Sequence, residues 1–137
     1  MKSRFFIMIG LAVVFLTARG QLSAHHGSGA SYNMGLNKLV TRTGTVAEYG
    51  WQNPHVFITF DVTDDKGNVM RWGAETHDPE RLIRLGWSKN TLKAGDEITV
   101  TMFPSKSGAP RGLLAKLVFN GKVLIDDGQS RNLHPDE

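Results

Sequence analysis

The sequence predicts an all-β domain with one short helix, closed into a small barrel. Three observations predict it. Val56, Ile58, Phe60 and Val62 alternate with Phe57, Thr59 and Asp61, the period of a strand with one wholly apolar face. Turn signals built from Gly, Asn and Asp separate this run from others of similar length. One stretch alone, from Asp78, carries the start signals of a helix.

The first residues read as a secretory leader. Lys2 and Arg4 precede a 12-residue apolar run, Phe5 to Leu16. That is short for a bilayer span, which takes about 20 residues, and suits the core of a signal peptide. An uncleaved anchor is the alternative. Cleavage after Gly20 (Ala18-Arg19-Gly20) fits the small-x-small rule better than cleavage after Ala24 (Leu22-Ser23-Ala24), where Leu22 is larger; residues 1–24 are taken here as the leader. Its removal takes Lys2, Arg4 and Arg19, three of the 16 basic residues, leaving 13 against 13 acidic. No basic excess survives to mark a nucleic-acid partner. The chain has no cysteine, so neither a disulfide nor a lipidated cysteine is available. A periplasmic or secreted protein is expected, free of the membrane after cleavage.

Residues 25–38 read as a flexible, small-residue arm bearing His25 and His26. The barrel domain spans 39–125. Leu39 to Tyr49 is its first strand, with Gly44 suggesting a bulge or bend and Gly50 breaking it. The strand from His55 to Val62 follows, opened by Pro54, which cannot donate to a ladder. Asp64 to Asn68 turns the chain into a third strand, Val69 to Glu75. Asp78 is then an N-cap, Pro79 the first helical residue and Glu80 a first-turn acid. Leu82, Ile83 and Leu85 form the expected buried stripe, Gly86 a left-handed cap, and Trp87 packs back. After turns at Ser88–Leu92 and Lys93–Asp96, Ile98, Val100 and Met102 mark the fourth strand. Pro104 to Gly112 is a loop and Leu113 to Phe119 the fifth strand. Asn120-Gly121 is a strong hairpin signal, with Lys122 to Ile125 returning. The tail, 126–137, is polar and expected to fray. Three strands, a helix, then strands again is the layout of a five-stranded Greek-key barrel of the oligonucleotide/oligosaccharide-binding (OB) type, the helix lying between strands 3 and 4. An open sheet with one packed helix is the alternative.

The ordered set Ala24-His25-His26, Gly44-Thr45-Val46, Trp51-Gln52-Asn53-Pro54-His55, Leu85-Gly86-Trp87-Ser88 and Leu92 to Asp96 resembles a family of short exported bacterial proteins that carry a domain of unknown function. The likeness continues through Leu117 to Leu124 and covers nearly all of the mature chain. Ala94-Gly95-Asp96 stands where such proteins more often have Pro-Gly-Asp. The resemblance implies export and a small β domain, and no established activity.

Five histidines carry most of the chemistry on offer. Cleavage after Ala24 would leave His25 as the terminus, so that its α-amine and ring Nδ1 could chelate one ion together. A further imidazole would give a nitrogen-rich tetragonal site, which suits Cu(II). His26 offers a second local chelate, and either mode weakens at low pH. His55 shares parity with Phe57, Thr59 and Asp61, opposite the apolar face, so it points outward or lies at the barrel rim as a third ligand or a plain surface histidine. His77 stands beside Glu75 and Asp78, as a ligand oriented by a carboxylate or as part of the helix cap. Met34 could add a soft sulfur, and His134 is assigned nothing. Trp51, Trp72 and Trp87 suit packing better than ligand stacking. Glu75 and Asp78 carry no mark of a hydrolase, and no nucleophile elbow or phosphate loop occurs.

The expectation is a periplasmic metal-binding protein, copper favoured, with ligands among His25, His26, His55 and His77, acting as carrier, chaperone or sensor. A metal-free module that recognises a protein, peptide or glycan on the barrel face is the alternative. A copper oxygenase of the terminal-histidine kind ranks third, and the balance leans away from an enzyme.

Overall fold

The computed structural model describes residues 28–127. A short helix α1 (Ser28–Ser31) and a 3-10 turn (Leu36–Lys38) lead into β1 (Val40–Gly50), β2 (Phe57–Thr63) and β3 (Val69–Glu75). Helix α2 (Pro79–Arg84) follows, then β4 (Glu97–Pro104), β5 (Arg111–Phe119) and β6 (Lys122–Asp126).

The strands are ordered β3-β2-β1-β4-β5-β6, and a further β3–β5 pairing closes the sheet. That seam is parallel and short, from Gly73 opposite Arg111 to Glu75 opposite Leu113. Five strands thus form the closed Greek-key barrel of the OB type, with α2 between β3 and β4 as expected. The hairpin strand β6 is added alongside the later part of β5. Closure leaves fewer free edges, which suits a chain with no cysteine.

The alternation in β2 does what its pattern requires. Val56, Ile58 and Phe60 are fully buried, while Phe57 is 39% exposed on the opposite face. They meet Val46, Ala74, Ile98, Val100, Met102 and Leu117 inside the barrel. On the outer face Thr41 and Thr43 bond Thr101 and Thr99 across the ladder, each at 2.9 Å. The ladder also runs past the start of β2, with Val56 N–H donating to His77 O and Thr76 N–H to Val56 O.

The turn chemistry holds. Asn120 and Gly121 both take positive φ, 50° and 72°, as a tight hairpin demands. Asp78 accepts from Arg81 N–H at 2.9 Å with Pro79 behind it. Gly86 has φ 86°, and Trp87, nearly buried, donates its backbone N–H to Leu82 O.

Four expectations need correction. The bulge in β1 falls between Val46 and Glu48, because Gly44 is needed for a close approach to β2 and keeps its register with Ile98. Only Leu82 of the proposed stripe is buried. Ile83 and Leu85 are 59% and 49% exposed, since a helix of 6 residues has room for one inward turn. Residues 28–38 are docked, not a free arm: Tyr32 is buried with Phe103, Leu113 and Ala115 in a second apolar cluster, and Met34 and Leu39 pack against it. This cluster lies outside the barrel, because Leu113 and Ala115 have the parity opposite to the inward Leu114. The start of the tail is also held, for β6 runs to Asp126 and Asp127 is buried.

Candidate functional site

His55 and Glu75 are drawn together by the β2–β3 hairpin. Glu75 lies opposite Phe57 on β2 and opposite Leu113 on β5, so it sits at the barrel seam, facing outward. His55, two residues before Phe57, has the same outward parity. Its Nδ1 stands 2.5 Å from Glu75 Oε1. The ring is half exposed and the carboxylate mostly covered, at 47% and 19%.

The second oxygen of Glu75 accepts the phenolic O–H of Tyr32. Tyr32 arrives from the N-terminal side, tied by its bridge to Ser105 and by Asn33 N–H donating to Pro104 O at 2.9 Å. Lys106 adds two further ties, donating its N–H to Ser31 O and its Nζ to Gly29 O. Burial, the hydrogen bond to Glu75 and the Glu75 charge together push the Tyr32 phenol up to about 12, against a smaller pull from Arg111. One carboxylate therefore serves two donors from distant parts of the chain.

The pairing fixes what His55 can do. A carboxylate accepts, so the Nδ1 side of the ring is the donor toward Glu75, and Nε2 is the nitrogen on the far side of the ring. A carboxylate behind an imidazole fixes the orientation of its ring.

His77 is placed differently. Its Nε2 pairs with Asp127, and Arg81 Nη2 lies 3.7 Å from the same carboxylate. The expected neighbours, Glu75 and Asp78, are occupied elsewhere, Glu75 by His55 and Tyr32 and Asp78 by the helix start. His77 thus joins the head of α2 to the residue that follows β6, and the cap itself is made by Asp78.

His25 and His26 lie outside the described residues, as does His134. Among the described residues no three His, Cys, Asp or Glu stand together as a metal-holding group. Any site at His55 must therefore draw ligands from elsewhere. Met34 packs against the outer apolar cluster. Trp87 donates Nε1–H to Leu124 O at 3.2 Å, Trp51 stands edge-on to Tyr49, and Trp72 lies under Arg42 at 4.9 Å. Beside the start of α2, Asn53, Pro54, Asp78, Pro79, Glu80 and Ile83 line an open depression of about 820 Å³.

Nothing in the sequence marks Tyr32 or Asp127 as site residues, and Glu75 is marked only as an orienting neighbour to His77. Glu75 was within reach of the sequence: the turn at Asp64–Asn68 sets the hairpin register, and counting back from it puts Glu75 against Phe57. Tyr32 gave no such signal, because its contacts are with β3, β4 and β5, far along the chain.

The model of a family of unknown function, DUF6152, matches residues 13–115, and the chain belongs to that family. No curated protein matches it. Among solved structures it is similar to the mitochondrial single-stranded DNA binding protein Rim1 of S. cerevisiae, at 8% identity and a TM-score of 0.45, over 64% of this chain and 94% of that one.

Proposed function

We propose that this member of the DUF6152 family is an exported protein that binds a metal ion, copper favoured, as a carrier, chaperone or sensor. His25, freed as a terminus by cleavage after Ala24, would supply an amine and a ring nitrogen. His26 and His55 would complete a nitrogen-rich site of the kind that suits Cu(II).

One observation carries this reading. The Glu75 carboxylate receives Tyr32 and His55 at once, so the segment that follows His25 and His26 is anchored beside a histidine with a lone pair to give. Only three residues lie between His25 and Gly29, whose carbonyl is already held by Lys106. The terminal residue is thereby limited to within roughly 13 Å of that tether. Tyrosine burial supports the anchor, and the mature charge balance supports a small ligand over a polyanion.

The test is copper titration of exported protein, followed by absorbance and paramagnetic resonance, with His25→Ala and His55→Ala beside the natural chain. Loss of binding in His25→Ala and at least a tenfold weakening in His55→Ala are expected. A mature chain that begins at Gln21, or unchanged affinity in both variants, overturns the reading.

A second reading has its own observation. Ile83 leaves apolar surface exposed in the lining of the depression at Pro54 and Pro79, which suits a metal-free module for a protein, peptide or glycan. A partner retained by metal-free His25→Ala protein and lost from Ile83→Ser supports it.

A further inference from the structure

We infer that Glu75 is a positioning residue for the same site: it sets the tautomer of His55 and, through Tyr32, ties that choice to the docking of residues 28–38. The inference rests on the metal-binding reading for its purpose but not for its geometry. Glu75 Oε1 meets Nδ1 of His55 at 2.5 Å, and Oε2 takes the Tyr32 hydroxyl. A carboxylate has no proton to offer either of them. Both donors must therefore turn their hydrogens inward to Glu75, and His55 presents Nε2 outward with its lone pair free.

The position of Glu75 makes the arrangement stiff. Its backbone is paired on both sides, to Phe57 and to Leu113, at the one place where β3 touches β5. The acceptor behind His55 is thus mounted on a strand at the seam, and is held more firmly than it would be on a loop. Arg111, the first residue of β5, also faces this group through its effect on the Tyr32 phenol.

The experiment uses the full mature chain labelled with 15N and free of metal, at pH 8, where an ordinary imidazole is neutral. Two-bond 15N–1H spectra report which His55 nitrogen bears the proton. The natural chain is expected to show Nδ1–H. Glu75→Leu, close in size but without an acceptor, is expected to move the ring to the Nε2–H form. Amides of residues 29–38 should exchange faster in the same variant, and copper Kd should rise about 10- to 100-fold.

An Nε2–H ring in the natural chain overturns the inference without any variant, so a failure of Glu75→Leu to fold does not protect it. A ring unchanged in Glu75→Leu or Glu75→Ala overturns it too. A ring that switches while copper affinity stays the same upholds the positioning role and sinks the metal reading instead.

Discussion

A β-carbon on Gly44 would stand 2.4 Å from the carbonyl oxygen of Asp61 and 3.0 Å from Phe60 Cδ2. β1 and β2 approach too closely there for any side chain, and the obstacle is main chain, which cannot swing aside. Gly44→Ala is therefore expected to destabilise the fold by about 1–3 kcal/mol, the usual cost of forcing a methyl into a packed site. Urea denaturation should show a lowered midpoint at an unchanged slope.

The chain has two tyrosines, and both phenols are raised. Tyr32 is moved to about 12 by burial and Glu75, while Tyr49 is raised by burial above that of Thr91's opposing hydrogen bond. A native absorbance titration should then show no phenolate step near pH 10, and unfolded protein should restore it. Because the folded value for Tyr32 lies above the unfolded one, its contribution to stability is full below about pH 10 and is lost as pH rises through about 12. A normal step in native Tyr49→Phe protein, where Tyr32 is the one phenol left, would mean that Tyr32 is not docked.

Neighbours on α2 should behave oppositely. Leu82 is fully buried under the barrel and Ile83 is 59% exposed. Leu82→Ala is expected to cost about 2–5 kcal/mol, and Ile83→Ser less than about 0.5 kcal/mol. Thermal melts of the two variants decide the matter.

The two histidines that flank the β2–β3 hairpin divide in the same manner. His77→Ala strips the mostly buried Asp127 of its ring partner, and about 1–3 kcal/mol should be lost. His55→Ala removes a half-exposed ring and leaves Glu75 with Tyr32, so stability should change by less than about 0.5 kcal/mol. Equal losses in denaturant would contradict this difference in burial and partners between the two histidines.

Local chemistry made most of the barrel legible. Period-two alternation in residues 56–62, the Asp78-Pro79 helix start and the Asn120-Gly121 turn each act over a few residues, and the structure shows all three. What stayed hidden joins positions far apart. Tyr32 meets Glu75 across 43 residues and His77 meets Asp127 across 50. Neither pair leaves a periodic trace, and Tyr32 sits in a stretch with no period at all. Ile83 and Leu85 erred in another way: apolar spacing gives the width of a stripe, but the length of α2 limits how much of it can face inward.

The seam between β3 and β5 has a consequence for synthesis and breakage. It joins Gly73 to Arg111 and Glu75 to Leu113, so the helix and all of β4 must emerge before the cylinder can shut. A nascent or clipped chain that stops short of Arg111 keeps two hydrogen-bonding borders open to other chains. Such fragments are expected to clump or to be digested rather than persist as partly working pieces.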